Sequence, residues 1–291
     1  MSDTSASTSG QERTGKPIVV GVDGSESSLA AAWWAAEDAL RRGAAIRLVH
    51  VREPRPETSP PHLCDEVLDR AVEAIRRRSP AIPVTPFLAT GEVVGTLRQE
   101  SENAVETVIG SRGTGGFAGL ILGSVGLGLA GHAADPVVVV RRPAPAIFGE
   151  IVVGVDGSAH SEAALEYAFE QARLRPAKLH AVYTWPMPML SPYAAGYTDV
   201  VEGGFAEGSR RAWEFVAPWR DKYPDVEFQT TTVCGYPVSV LTDVSRTADL
   251  LVVGSRGLGA VGSALLGSVS HGVLHHAHCP VAIVRPHPSG R

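Results

Sequence analysis

The eight residues IVVGVDGS occur twice, at 18–25 and at 151–158, identical at every position and 133 residues apart. Two shorter words also recur: GSRG at 110–113 and 254–257, and LGSV at 122–125 and 266–269, both 144 residues apart. A period this long in only two copies means a duplicated domain, because solenoid repeats run to roughly 20–50 residues. The second copy carries eleven extra residues (144 against 133). The surplus reads as loop in the Pro- and Gly-rich stretch TWPMPMLSPYAAGYTDVVEGG. A chain of 291 residues suits two such domains. We expect them at 17–143 and 148–286, joined by the Pro-rich linker RRPAPAIFGE. Residues 1–16 read as a polar, disordered tail without the apolar core of a secretory signal.

Each copy alternates short apolar runs with helical spacing. KPIVVGV, AIRLVHV, VTPFLAT, VETVIG and PVVVV read as the strands of the first copy. ESSLAAAWWAAEDALRR follows the first strand as an Ala-rich helix, with serines suited to cap its start and Gly43 to close it. CDEVLDRAVEAIRRR, VVGTLRQESEN and VGLGLAGHA read as the other three helices. The second copy repeats the order, with strands EIVVGV, KLHAVYT, VEFQTTTV, DLLVVG and PVAIV. This alternation predicts an α/β fold: two tandem five-stranded parallel sheets with helices on both faces. Ligands of such sheets bind beyond the carboxyl ends of the strands, where strand order reverses.

The glycine motifs fall after strands one and four of each copy. The first copy has Gly110-x2-Gly113-x9-Gly123-Ser124, and the second has Gly254-x2-Gly257-x9-Gly267-Ser268. Glycines between a strand and a helix let backbone N–H groups approach a ligand closely, and a helix start favours anions, so the pattern suits phosphate. Ser124 and Ser268 stand where the fourth helices begin, to cap the helix or to donate to a phosphate oxygen. Arg112 and Arg256 are the basic residues of these loops; they either touch phosphate or remain solvated. Asp23 and Asp156 end the first strands. Each either accepts from a ribose hydroxyl or adenine amine, or forms an Asx turn with the following Gly-Ser. No lysine completes a Walker loop.

Several other functions are excluded or weakly supported. A net charge of −5 offers no basic field for nucleic acid. Three well-separated cysteines, Cys64, Cys234 and Cys279, suggest no disulfide framework and fit a reducing cytoplasm. Residues 113–134 contain no charged side chain except a neutral histidine, but a span there would cut the sheet in two, so no membrane segment is expected. HGVLHHAHC lacks a carboxylate or second cysteine to complete a metal set. Magnesium accompanying a triphosphate is the better expectation, and no nucleophile elbow follows a strand. Trp185, after the second strand of the second copy, is a candidate to lie against a base. In the first copy, Glu106 in a central strand would be costly if buried unpaired. Gly126, Gly128 and Gly131 weaken the fourth helix by about 1 kcal/mol each.

With these motifs in view, both halves resemble the universal stress protein family. The resemblance rests on V-G-V-D-G-S, the strand LVHV, the G-x2-G-x9-G-S loop and the closing A-x-x-P-V-x-x-V. It implies an adenine nucleotide α-hydrolase-like fold and, since the glycine motif is complete, the ATP-binding branch. Carried onto this chain, the nucleoside would meet Gly21, Asp23, Gly24 and Ser25, with the adenine near the backbone of Val51. In the second copy these are Gly154, Asp156, Gly157, Ser158 and Thr184. Gly110, Arg112, Gly113, Gly123, Ser124 and Val125 would hold the phosphates, as would Gly254, Arg256, Gly257, Gly267, Ser268 and Val269. The closing strands PVVVV and PVAIV would pair within one chain to make a pseudo-dimer, and a homodimer of the whole chain is open. The implied role is a non-catalytic or weakly catalytic stress regulator with an unidentified protein partner. A slow ATPase or nucleotidyl transferase and a nucleotide-free scaffold are the alternatives.

Overall fold

A computed structural model describes residues 15–54, 62–114, 122–141, 146–185, 197–258 and 266–286. Most of the polar tail, residues 142–145 of the linker, the Pro-rich stretch after Trp185 and the middle of each glycine loop lie outside the described residues.

The first half runs β1 (Ile18–Gly21), α1 (Glu26–Arg42), β2 (Ile46–Arg52), α2 (His62–Arg78), β3 (Val84–Thr90), α3 (Val93–Ser101), β4 (Glu106–Gly110), α4 (Ser124–His132) and β5 (Val137–Val140). The second runs β6 (Glu150–Val155), α5 (Ala159–Leu174), β7 (Lys178–Trp185), α6 (Tyr197–Lys222), β8 (Phe228–Cys234), α7 (Pro237–Val244), β9 (Leu250–Gly254), α8 (Ser268–His276) and β10 (Val281–Val284). The boundaries follow local chemistry. Ser25 caps α1 by accepting from the Ser28 amide at 3.2 Å, and Gly43 closes it at φ 65°. Ser158 caps α5 in the same way through the Ser161 amide, at 3.1 Å.

All the strands form one sheet in the order β3-β2-β1-β4-β5-β10-β9-β6-β7-β8. Pairing within each half is parallel. The halves meet where β5 and β10 pair antiparallel, Val139 opposite Val281 and Val137 opposite Ile283. The expected in-chain pairing of the closing strands is therefore present, and the carboxyl ends of the two halves point in opposite directions. One core packs α1, α2, α5 and α6 on one face of the sheet, among them Ala35, Ile75, Phe169 and Val216. The other face carries α3, α4, α7 and α8 through Leu97, Leu129, Leu241 and Val273. Both faces are thus covered, as the uninterrupted apolar strands require.

Three expectations change. The stretch read as loop up to Gly204 is helical from Tyr197 onward, so α6 spans 26 residues. Burial of Ala212 and Val216, with Phe215 and Trp219 against the same core, outweighs the propensity cost of its glycines. Trp185 is the last residue of β7, not a loop residue. Its indole fills the space over Gly204, where a Cβ would come within 2.7 Å of Cη2, so it packs against α6. Finally, α4 forms over the same nine residues' length as α8 despite its glycines. Gly128 lets α4 cross α3: a Cβ there would lie 2.9 Å from the Val94 methyls, as one at Gly272 of α8 would lie 2.6 Å from Val238 of α7.

Candidate functional site

Strand order reverses between β1 and β4, and again between β6 and β9. The two glycine motifs meet at these points. After β1 the chain turns through Gly24 at φ 85°, a left-handed conformation natural to glycine. Asp23 Oδ1 accepts from the Ser25 amide at 3.0 Å, which closes an Asx turn. Its other oxygen, Oδ2, accepts from the Thr114 amide at 2.8 Å and so reaches the loop after β4. The second half repeats this. Gly157 has φ 83°, Asp156 Oδ1 accepts from the Ser158 amide at 2.9 Å, and Oδ2 accepts from the Leu258 amide at 2.9 Å. The Asx turn and an outward-reaching carboxylate oxygen therefore coexist in one residue. Burial works against ionising Asp156, but hydrogen bonds from Ser158 and the Leu258 amide outweigh it and hold its pKa below the usual value.

The glycines have distinct tasks. A Cβ on Gly113 would stand 2.6 Å from Asp23 Oδ2, so a side chain there would push the carboxylate aside; Gly257 faces Asp156 in the same way. Gly110 and Gly254 do not face the loop. A Cβ on Gly110 would lie 2.6 Å from the Ser27 carbonyl carbon, and one on Gly254 would lie 2.7 Å from that of His160. Their missing side chains admit the first turns of α1 and α5, a packing reason separate from any approach of backbone to phosphate. Gly21 and Gly154 pack beneath Leu97 and Leu241, where an added Cβ would lie 3.3 Å and 3.0 Å from the leucine Cδ1 atoms.

Gly123 and Gly267 are the cap residues of α4 and α8, and neither helix has a side-chain cap. Ser124 and Ser268 are the first helical residues, one place further on than a capping serine would stand. Gly123 and Gly267 each donate to the carbonyl of Ser111 or Ser255 at 2.8 Å. The first-turn amides beyond them, at Ser124 and Val125 or Ser268 and Val269, carry the helix's partial positive charge without an acidic residue in the turn. Both serines are exposed. Arg112 is exposed and Arg256 half-buried. The Arg112 carbonyl accepts from the Ser25 hydroxyl at 3.1 Å and from Ser27, tying the loop to α1. Val51 and Thr184 sit at the carboxyl ends of β2 and β7, half-buried, paired with Ala89 and Val233.

Sequence reasoning missed several parts. Ser28 and Ser161 stand behind the aspartates, each hydroxyl 3.4 Å from the Asp23 or Asp156 amide. They are 133 residues apart, so the repeat itself held that signal. Ser27 is replaced by His160 in the second half. Burial, then Arg256 and Arg285 nearby, hold the His160 pKa below its usual value against the pull of Asp156. Arg141 donates to the Leu274 carbonyl at 2.6 Å, and Arg285 to the Gly131 carbonyl, so each closing strand sends an arginine to the other half's fourth helix. Among the described residues no group of three or more His, Cys, Asp or Glu is placed to hold a metal, although the His271 and His275 rings lie 4.7 Å apart. No helix there is long and apolar enough to cross a membrane.

The Universal stress protein family matches residues 15–141 and 148–285. The chain belongs to this family. A universal stress protein of Mycobacterium tuberculosis is 35% identical over 288 residues, covering 92% of this chain and 96% of that protein. Another from the same species is 33% identical over 309, covering 94% and 96%. The crystal structure of a universal stress protein from Archaeoglobus fulgidus superposes with a TM-score of 0.65 at 22% identity, covering 92% of this chain and 96% of that one. The tandem arrangement of two universal stress protein domains thus extends along the whole match.

Proposed function

We propose that each half binds ATP at the switch point of its strands, and that the chain is a nucleotide-responsive regulator in stress or dormancy rather than an enzyme. One observation carries the reading: an aspartate bridging two loops beside an uncapped helix start, built twice from the same spacing. The amides at the start of α4 and α8 suit a triphosphate, and the glycines at 113 and 257 leave no room for a side chain beside the carboxylate. Membership of the family and the complete glycine motif favour adenine nucleotide over other anions. Magnesium would arrive with the triphosphate, since the described residues offer no acidic cluster of their own.

The same geometry suggests how binding would be felt. A ribose hydroxyl donating to Asp23 Oδ2 would share that oxygen with the Thr114 amide. Ligand binding and loop position are therefore coupled, and a protein partner that reads the loop surface would sense occupancy. The cytoplasm, with its ATP and reduced cysteines, is the fitting compartment. Nucleic acid and membrane are not expected partners, and two chains associating is compatible with the reading.

Equilibrium dialysis against ATP, followed by denaturation and chromatographic quantification of retained nucleotide, tests the proposal. Saturable retention of adenine nucleotide supports it. No retained nucleotide overturns it.

A further inference from the structure

A second polar cluster lies far from both loops, buried at the seam of the two halves. Asp38 and Arg42 come from α1, Glu106 from β4, Tyr167 and Gln171 from α5, and Arg175 from its carboxyl end. Asp38, Glu106 and Gln171 are 0% exposed. Asp38 pairs with Arg42 at 2.5 Å in its own half and with Arg175 at 2.8 Å across the seam. Glu106 Oε2 accepts from the Tyr167 hydroxyl at 2.6 Å and the Gln171 amide at 3.4 Å, and lies 3.7 Å from Arg42. Arg175 also stacks over Trp34, 5.0 Å from the ring centre.

These residues are repeat partners of one another. Trp34 and Tyr167, Asp38 and Gln171, and Arg42 and Arg175 are each 133 residues apart, and Glu106 corresponds to Leu250, 144 away. Gln171 Nε2 lies 3.5 Å from Asp38 Oδ2, so the local two-fold relating the halves passes between them. At this axis the repeat is broken in a definite sense. The first half supplies the acceptors, Asp38 and Glu106. The second supplies donors, Tyr167, Gln171 and Arg175, and has no acid at the matching places.

We infer that this seam is a heterotypic docking surface whose fitting partner is the unlike half, and that it rejects a second copy of the same half. Pairing two second halves would bury two Arg175 guanidiniums with no carboxylate between them, Gln171 facing Gln171 and Leu250 standing where Glu106 is needed. Pairing two first halves would set Asp38 against Asp38 and give Glu106 Trp34 and Asp38 in place of its two donors. An uncompensated buried charge is strongly destabilising, and specificity arises from such penalties as much as from good contacts. The rest of the seam makes no such choice. Val137–Val140 and Val281–Val284 are nearly interchangeable, and the Arg141 and Arg285 contacts are reciprocal.

The test starts from the full chain with a protease site placed between residues 141 and 146. After cleavage, unfolding in urea and refolding, native mass spectrometry counts the pairs. First-with-second pairs should exceed either like pair by more than roughly a hundredfold. A statistical mixture of the three pairs, or halves that do not pair, overturns the inference. A second measurement uses the uncut chain. Asp38→Gln strips Arg175 of its acid and leaves Arg42 only the more distant Glu106, and Gln171→Asp sets two carboxylates face to face, so each alone should lower the thermal midpoint. Combined, they move the acid across the axis, where it stands to Arg175 as Asp38 stands to Arg42. The double variant should recover most of the loss. Losses that simply add overturn the inference as well.

Discussion

Asp23 Oδ2 accepts a hydrogen bond from the Thr114 amide at 2.8 Å, joining the loop after β1 to the loop after β4 across the point where strand order reverses. Asp156 and Leu258 make the same joint at 2.9 Å in the other half. A carboxylate in this position is a latch and, on the reading proposed above, an acceptor for a nucleoside hydroxyl. Asp23→Ala should weaken ATP binding in the first half alone, and Asp156→Ala in the second. A lost charged hydrogen bond is worth about 1.5–3 kcal/mol, so affinity should fall roughly tenfold to a hundredfold per site. Titration calorimetry of the two single variants and the double reads this directly. Unchanged binding in the double variant would remove the aspartates from the site.

Gly110→Ala and Gly254→Ala should destabilise the fold whether or not nucleotide is present. The added methyl group would press on backbone atoms of α1 or α5 at 2.6–2.7 Å, where no side-chain rotation gives relief. Overpacking of this kind costs about 1–3 kcal/mol. Gly123→Ala is the contrasting case. Its nearest neighbour would be the Ser111 carbonyl oxygen at 3.6 Å, and its φ is −80°, open to any residue. Thermal denaturation without nucleotide should show a lowered midpoint for the first two and a nearly unchanged one for the third. Equal midpoints for all three would contradict the packing assigned to Gly110 and Gly254.

What could be read in advance depended on which physics spoke through residue type. Runs such as IVVGV and VVVV are apolar throughout because both faces of the sheet are covered, so the strands and their parallel order were legible. The positions of Asp23 and Asp156 followed from the same strands. Thr114 and Leu258 were not legible, because a backbone amide does the work and any side chain serves there. Gly110 was legible as a glycine but not in its reason, which lies in α1 some eighty residues earlier in the chain. The start of α6 was hidden by glycines that cost helix propensity, while burial against β7 and β8 decides the outcome. Glu106 looked like a liability because its partners, Tyr167 and Gln171, belong to the other half.

Cys279 should resist alkylation in the folded protein. It is 8% exposed, and burial pushes its thiol up to about 12, so almost no thiolate exists near neutral pH. Cys234, at the end of β8, is only half-buried. Iodoacetamide labelling followed by peptide mass spectrometry should therefore modify Cys234 first, with Cys279 reacting only once the chain is unfolded. Early labelling of Cys279 would show that the end of α8 opens more readily than its packing implies.

Glu106 should make the protein less stable as pH rises. Burial first, then the neighbouring Asp38 carboxylate, push its pKa up to about 8, against the opposing pull of Arg42, the Tyr167 hydrogen bond and Arg175. The unfolded chain gives up this proton near the ordinary value of 4.5. Between that pH and about 8 the folded state holds more protons than the unfolded one, so stability falls across the window and levels off above it. Asp38 acts elsewhere. Burial opposes its ionisation, but Arg175 and then Arg42 hold its pKa below 3.8, so its contribution is present above that value and is lost only in acid. Glu106→Gln keeps the shape and the acceptor for Tyr167 but removes the titration. Chemical denaturation from pH 5 to 8.5 should show a declining stability in the parent chain and a flatter profile in the variant. Parallel profiles would mean that Glu106 stays ionised through this range, held by Arg42 more firmly than the 3.7 Å separation suggests.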